Sequence, residues 1–325
     1  MKLLVTGGAG FIGANFIHYW FKKRLKDKII NVDKLTYAAD LTNLKEFEKN
    51  PNYSFMRGDI ADKEVVKKAT NDVDVIVNFA AETHVDNSIK DSSNFIRSNI
   101  VGVHTLLEIV REQGIRFHQV STDEVYGSLP LNSRKKFDEK SKYSPKNPYS
   151  ATKAAADHLV NAYFNTYKLP VTISNCSNNY GPFQHPEKLI PKTIINALND
   201  KPIPIYGTGM QVRDWIYVED HCSAIEKIID RGEYGQTYLV GTNGEKSNID
   251  VVKKILNILG KSESLIKFVE DRPGHDVRYA IDASKIKKEL GWKPQTRFEE
   301  GIKKTIKFYQ DNIKKNIVVI NQYAI

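Results

Sequence analysis

The stretch that most restricts this chain is its first fourteen residues, Met1-Lys2-Leu3-Leu4-Val5-Thr6-Gly7-Gly8-Ala9-Gly10-Phe11-Ile12-Gly13-Ala14. Lys2–Thr6 is a short apolar run of strand type. Glycines follow at once, and a helical pattern begins behind them, with Ile12, Phe16 and Trp20 on one stripe and Ile17 and Phe21 beside it. A strand that turns through glycine into a helix brings backbone N–H groups and the positive end of a helix dipole to one point. Glycine permits the tight turn and lets an anion approach the backbone with no Cβ in the way. Two spacings overlap here: Gly8, Gly10 and Gly13 give GxGxxG, while Gly7, Gly10 and Gly13 give GxxGxxG. Downstream, Ile29–Asp33 reads as a second strand ending in an acid. That acid stands about twenty residues past the last glycine, where a carboxylate accepts from the ribose hydroxyls of an adenosine. Turn, helix and acid together predict a dinucleotide site. Asp33 favours NAD by repelling a 2′-phosphate; Lys34 beside it keeps NADP in play.

Strands and helices alternate through the first half. Strands are expected at Lys2–Thr6, Ile29–Asp33, Tyr53–Arg57, Asp74–Phe79, Phe117–Ser121 and Val171–Asn175, with helices at Ala61–Thr70, Ser92–Gln113 and Pro148–Tyr167. This alternation predicts an α/β fold, a doubly wound parallel sheet of Rossmann type with helices on both faces. Ligands in such a sheet bind past the carboxyl ends of the strands. From Pro182 through Pro186, Pro191, Pro202 and Pro204 to about Gly209 the prolines predict loops. Beyond them, Gln211–Val218 and Gln236–Val240 read as strands, and Glu219–Arg231, Ile249–Leu259, Ala283–Leu290 and Phe298–Asp311 as helices. The expected division is residues 1–176 with 215–241 as the NAD-binding domain, and 177–214 with 242–325 as a smaller, C-terminal substrate-binding lid. The apolar tail, Asn316–Ile325, is expected to dock on the body of the protein.

Composition narrows the function classes. With 325 residues the chain can bury a large core. Cys176 and Cys222 supply neither a disulfide framework nor metal-ligand spacing, so a reducing, cytoplasmic setting is the default and no metal is expected. No secretory signal and no membrane-spanning run is read. The net charge of +9 is spread over helix faces, as in Lys253-Lys254 and Lys303-Lys304, without an aromatic-basic pattern. No nucleic-acid partner is expected; positive charge also suits a site for diphosphates.

The chemistry sits after the fifth strand of the alternation. Ser121-Thr122-Asp123-Glu124 follows a strand, and Asn147-Pro148-Tyr149-Ser150-Ala151-Thr152-Lys153 opens a helix with an N-cap and a first-turn proline. Tyr149 and Lys153 then lie one turn apart on one face. A nearby ammonium and a bound nicotinamide cation would both favour the phenolate, giving a base for a hydroxyl proton while hydride leaves the same carbon. Thr122, Asp123 and Glu124 add a hydroxyl and two acids. Elimination of water needs a base for a C–H proton and an acid for the departing hydroxyl, and adjacent acids in different surroundings can divide those roles. For two pairs the residues leave two readings each. Ala80-Ala81 either makes room for a cofactor or permits close packing, and Asp59-Ile60 either holds an adenine or closes an ordinary turn.

These residues resemble the nucleotide-sugar 4,6-dehydratases of the extended short-chain dehydrogenase/reductase class. The carrying stretches are TGGAGFIG at 6–13, DKLTYA at 33–38, AAETHVDNSI at 80–89, STDEVYG at 121–127, YSATK at 149–153, NCSNNYGPFQHPEKLIP at 175–191, QVRDWIYVEDH at 211–221 and DRPGHDVRYAID at 271–282. The resemblance implies that Tyr149 takes the O4 proton with Thr122 hydrogen-bonded nearby and Lys153 on the cofactor ribose. It implies Glu124 as the base at C5 and Asp123 as the acid at O6. It implies NAD contacts from Gly7, Gly10, Phe11, Ile12 and Gly13, then from Asp33, Lys34, Leu35, Thr36, Asp59 and Ile60. Phe79, Ala80, Ala81, Ser98, Tyr149, Lys153 and Asn179 complete that set. A nucleotide sugar, dTDP-glucose foremost, is the implied substrate. Thr83, Thr122 and Asn178 would lie near its sugar. Lys188, Leu189, Pro204, Ile205, Tyr206, Arg213, Asn248 and the Asp271-Arg272-Pro273-Gly274-His275 loop would hold its diphosphate and base. A homodimer on the Ser92–Gln113 and Pro148–Tyr167 helices and a role in deoxysugar biosynthesis, such as that of rhamnose, are also implied. Asn87 stands where relatives carry arginine, which leaves its local role open. The rival readings are a UDP-sugar 4-epimerase or decarboxylase, which needs no Asp–Glu pair beside Thr122, and a non-catalytic NAD-binding protein.

Overall fold

In a computed structural model, which describes residues 1–314, the first half of the chain builds one parallel sheet. Its opening elements are β1 (Lys2–Thr6), α1 (Phe11–Lys23), β2 (Lys28–Asp33), β3 (Tyr53–Arg57), α2 (Lys63–Ala69) and β4 (Val75–Asn78). After α3 (Val85–Lys90), the expected long helix appears as α4 (Ser93–Ile96) and α5 (Gly102–Gln113), joined through a π-helical turn at Arg97–Val101. Then come β5 (Arg116–Thr122), α6 (Pro148–Tyr167) and β6 (Val171–Cys176). Next follow β7 (Asn178–Tyr180), α7 (Leu189–Leu198), β8 (Ile203–Tyr206), β9 (Val212–Tyr217), α8 (Val218–Arg231) and β10 (Thr237–Val240). The chain closes with β11 (Glu245–Ser247), α9 (Asn248–Leu259), β12 (Ile266–Val269), α10 (Ser284–Leu290) and α11 (Phe298–Lys314).

The seven-stranded sheet runs β10-β6-β5-β4-β1-β2-β3, with every neighbouring pair parallel. Its order reverses between β1 and β4, which opens a crevice at their carboxyl ends. Both faces are covered. Leu4, Ile76 and Phe117 point into a core with Leu106, Val110 and Val160 of α5 and α6. Leu3, Val5, Val75 and Val77 point the other way, onto Phe16, Trp20, Val218 and Ile225 of α1 and α8. This is why the strands read as continuous apolar runs rather than alternating ones.

The remainder forms a smaller unit around Tyr180, Ile190, Ile194, Trp215, Val251, Ile255, Ile302 and Ile306. Two expectations are corrected here. The proline-rich stretch between Pro182 and Gly209 is not all loop: it holds α7 and β8. Pro191 sits in the first turn of α7, where its missing N–H has no intrahelical partner to lose, and Pro204 lies in a two-stranded pair, β12-β8. The strand at Gln211–Val218 does not join the main sheet. As β9 it pairs with β7 and β11 in a separate three-stranded sheet, although α8 and β10 do return to the large one. The tail Asn316–Ile325 lies outside the described residues.

Candidate active site

The glycine turn is shaped by contact with the backbone. Gly7 has φ +70, its N–H donates to Val32 O at 2.9 Å, and a Cβ on it would stand 2.6 Å from Ala80 N. A Cβ on Gly13 would run into the Gly7 carbonyl. The turn and the first residues of α1 thus form a cradle of backbone that a side chain would fill, as a dinucleotide requires. Ala80 packs on Gly7 and also lines the cleft. Asp33 is buried, with Oδ2 accepting from Ala9 N (2.9 Å) and Oδ1 from Leu35 N (2.8 Å). Burial raises its pKa, against the pull of those two amides. Leu35 adopts φ +60, the backbone form that returns its N–H to Asp33. Lys34 reaches Asp59 Oδ2 at 3.1 Å, and Arg97 Nε meets the same oxygen at 3.0 Å. Burial opposes the Asp59 charge, but the Ala61 N–H, Lys34 and Arg97 hold its pKa below the usual range.

One continuous cleft runs from this cradle past Thr36, Ile60, Phe79, Ala81 and Ser98 to Thr122, Asp123, Glu124, Tyr149 and Lys153. It is also lined by Thr83, Asn178, Asn179 and Lys188. Phe11, Ile12 and Gly10 belong to its wall, whereas Leu35 does not line it. The start of α6 carries a reciprocal cap: Ser150 N donates to Asn147 Oδ1 (2.9 Å) and Asn147 N to Ser150 Oγ (3.3 Å). That cap fixes Tyr149, whose N–H donates to Ser88 Oγ at 3.2 Å and whose ring meets Phe95 edge-on. Lys153 is buried and donates to Val120 O at 2.8 Å.

The charge states differ from the simplest expectation for Tyr149. Burial, then Glu124 and Cys176, raise its pKa well above the ordinary phenol value, while the Thr122 hydroxyl lowers it. Burial lowers the pKa of Lys153, which Asp157 opposes. Asp123 is 1% exposed and its Oδ2 has no partner. Burial, then Glu124 and Asp214, raise its pKa well above its ordinary value, against Arg213, which favours the protonated form. Burial also raises Glu124, but Arg213, Arg272 and Lys188 pull it back. Two adjacent acids are thereby made unlike: burial drives one toward its protonated form, while the other faces three cations.

The implied diphosphate and base contacts lie further out. Arg213 is buried, donates to Val212 O (2.8 Å) and Asp276 O (2.8 Å), and stacks on Tyr279 with its guanidinium carbon 4.2 Å from the ring centre. Asp86 joins Tyr206 (3.2 Å from its hydroxyl) to Arg272 (3.5 Å). Asp271 accepts from Gln211 Nε2 (3.0 Å) and is 2.6 Å from His275 Nδ1. Pro273 and Gly274 form an exposed bend, with Gly274 at φ +65, and Asn248 opens α9. Ile205 is buried in the apolar core of the smaller unit, and Leu189 packs partly buried against that core. Pro204 is only partly buried. Asn179 is tied internally, donating to Cys176 Sγ (3.3 Å) and Ser177 O (3.0 Å) and paired with His221 Nδ1 (2.9 Å). Asn87 lies in α3, close enough to Tyr37 and His84 to bear on their pKa values.

Sequence reasoning missed several residues. In the π-turn, Asn99 clamps the Glu82 backbone from both sides (2.9 and 3.1 Å) and donates to Thr152 Oγ1 (2.9 Å), which ties the end of β4 to α6. An asparagine inside a helical pattern gives no signal for this. Gln184, His185 and Glu187 also line the cleft. Among the described residues no group of three or more His, Cys, Asp or Glu side chains is arranged to hold a metal, and no helix is long and apolar enough to cross a membrane.

A crevice at a sheet's switch point, a glycine cradle, a Tyr–Lys pair and two unlike acids define an oxidoreductase-type fold adapted to eliminate water. In agreement, the sequence model of the GDP-mannose 4,6 dehydratase family matches residues 4–305, and the chain belongs to that family. Its relatives are more particular. The dTDP-glucose 4,6-dehydratase of Neisseria meningitidis serogroup B is 48% identical over 96% of this chain and 94% of its own. The structure of dTDP-glucose 4,6-dehydratase from Bacillus anthracis in complex with NAD superposes with a TM-score of 0.91 at 47% identity, covering 97% of this chain and 98% of that one. That of the Streptomyces venezuelae dTDP-glucose 4,6-dehydratase, with NAD and TYD bound, gives 0.93 at 42% identity and the same coverage.

Proposed function

We propose that this protein is an NAD-dependent hydro-lyase that converts dTDP-glucose to dTDP-4-keto-6-deoxy-glucose. The observation that carries the reading is the pair at the end of β5: a buried Asp123 whose Oδ2 has no partner and whose pKa burial pushes up, next to a Glu124 facing Arg213, Arg272 and Lys188. NAD, held by the glycine turn and Lys153, would supply the hydride acceptor for sugar C4 and the hydride for C6. The chain's own residues move the protons. Tyr149 Oη accepts the proton of the O4 hydroxyl, and Thr122 Oγ1 orients that oxygen. The resulting ketone acidifies the neighbouring C5–H, which Glu124 removes; without the ketone no carboxylate could take that proton at a useful rate. Asp123 gives its proton to O6, which leaves as water, and Glu124 returns a proton to C5. Lys153 holds the cofactor ribose, and the glycine turn receives its diphosphate. Arg213 and Arg272 stand toward the substrate diphosphate.

The remaining proposals concern the setting. The protein forms a homodimer over the 92–113 and 148–167 helices, which carry Ile96, Val101 and Tyr167 exposed to 47, 43 and 47%. It works in the cytoplasm, consistent with two buried free cysteines, and feeds deoxysugar synthesis. Incubation with dTDP-glucose deuterated at C4 tests the reaction. The label is expected at C6 of the same molecule with no net consumption of NAD. Label lost to solvent or retained at C4 in an epimer would overturn it. Sedimentation of a monomer at micromolar protein would refute the dimer.

A further inference from the structure

Asp157 is fully buried, and the reaction just described does not use it. It lies one turn beyond Lys153 and two beyond Tyr149, on the same face of α6. Its Oδ2 accepts three hydrogen bonds: from Ser121 Oγ (2.8 Å), Asn175 Nδ2 (3.0 Å) and the Tyr143 hydroxyl (3.1 Å). Ser121 and Asn175 are register partners on β5 and β6. The same Asn175 Nδ2 also donates to Thr122 O at 3.1 Å. A single carboxylate oxygen is therefore connected, in two hydrogen bonds, to the backbone that presents Thr122, Asp123 and Glu124. Its other oxygen, Oδ1, is buried without a hydrogen-bond partner.

We propose that Asp157 is a positioning residue for the reaction: it fastens the helix bearing Tyr149 and Lys153 to the strand end bearing Thr122, Asp123 and Glu124, and supplies the negative charge that faces Lys153. The inference rests on the dehydratase reading above. Lys153 is faced by Asp157 on its own helix, Cys176 on β6 and the Val120 carbonyl on β5, with Tyr149 one turn before it on α6. Burial drives Lys153 toward the neutral amine, and Asp157 is the largest charge that opposes it. Cys176 adds little charge, because burial pushes its thiol up to about 12. Asp157 itself is raised by burial and drawn back by Lys153, Ser121, Asn175 and Tyr143; Tyr126 also feels its charge. Without that carboxylate, Lys153 loses its proton at lower pH and the two halves of the site lose their common anchor.

The test uses the whole enzyme with dTDP-glucose. Asp157→Asn keeps the shape and an acceptor toward Ser121, Asn175 and Tyr143 while removing the charge. We expect kcat to fall by about tenfold or more with KM changed less than about twofold, and the alkaline limb of the kcat–pH profile to move down by roughly one unit. Asp157→Glu, which restores the charge, should return that limb toward its wild-type position. An Asp157→Asn enzyme whose limbs coincide with the wild type's overturns the proposal, whatever its kcat. The double variant Ser121→Ala/Tyr143→Phe approaches the same point without altering Asp157. With two of three donors gone the carboxyl takes up a proton at higher pH, so kcat declines earlier on the acidic side; an unmoved acid limb also overturns the proposal. Failure of the dehydratase reading shows instead as an inactive wild type.

Discussion

Replacing Asp123 by Asn separates the proton of this side chain from its shape. In most sites that change removes a negative charge, but here burial and the Glu124 and Asp214 charges already push Asp123 toward its neutral form. Its Oδ2 has no partner to lose, and its Oδ1 has only a 3.5 Å contact from the Thr122 hydroxyl. Stability should therefore change by less than about 1 kcal/mol, since no satisfied buried group is stripped of its partner. The nucleotide sugar should bind within about twofold of the wild type. Elimination should suffer much more. A positioned general acid typically contributes 10²–10⁴ in rate, so kcat for product should fall by roughly that factor, about 3–5 kcal/mol in the barrier. Oxidation at C4 and deprotonation at C5 precede the acid's step and use Tyr149 and Glu124. In deuterated water the variant should still exchange its C5 hydrogen into recovered substrate, followed by NMR, while 4-keto-6-deoxy product accumulates slowly. Product formation at the wild-type rate would refute the assignment of the acid. Loss of C5 exchange together with product would refute the separation of roles between the two acids.

Three further outcomes follow from the same geometry. Gly7→Ala should lower stability by about 2 kcal/mol or more and weaken NAD binding, because φ +70 is strained for alanine and its Cβ would stand 2.6 Å from Ala80 N; a thermal midpoint and NAD affinity equal to the wild type's would contradict this. Arg213→Met removes the largest cationic pull on Glu124, so the base stays protonated to higher pH and the acid limb of C5 exchange should move upward; a limb that stays put would show that Arg213 serves packing alone. His118, buried between Thr172 Oγ1 (2.9 Å) and Ser174 Oγ (3.0 Å), has its pKa lowered to about 3 by burial and by His221. Its neutral form is favoured on folding, so its contribution is complete above about pH 6.5 and is lost as pH falls toward 3, at no more than about 1.4 kcal/mol per unit. Unfolding of His118→Gln by denaturant should show a shallower acid dependence than the wild type; parallel curves would refute this.

What could be read from the sequence depended on how local each signal was. The Gly7-to-Gly13 turn, the acid at Asp33 and the cap at Asn147 are spelled in contiguous residues, and their physics is backbone conformation and helix ends. The strands of the large sheet were legible because burial on both faces makes them continuous apolar runs. Prolines misled where they stand in positions a helix or short strand tolerates, as Pro191 and Pro204 do. The pairing of β9 with β7 and β11 depends on partners far along the chain, which no window of sequence contains. The same applies to Asn99 and Asp157: each is one polar residue in a helix, and only the fold reveals which backbone it holds.

The deepest step concerns charge rather than architecture. Asp123 and Glu124 are neighbours of the same chemical kind, and nothing in two adjacent letters says which is the acid. The structure makes them unlike by turning one into the interior and the other toward Arg213, Arg272 and Lys188. Two of those cations, Arg213 and Arg272, come from segments of the smaller unit, on β9 and in the loop after β12, whereas the acids stand at the end of a strand of the large sheet. The division of labour is thus created where the two parts of the molecule meet. It follows that the smaller unit is more than a clamp for the nucleotide. Its cations pull down the pKa of Glu124, and on the proposed mechanism a change there would alter the proton chemistry without touching either acid.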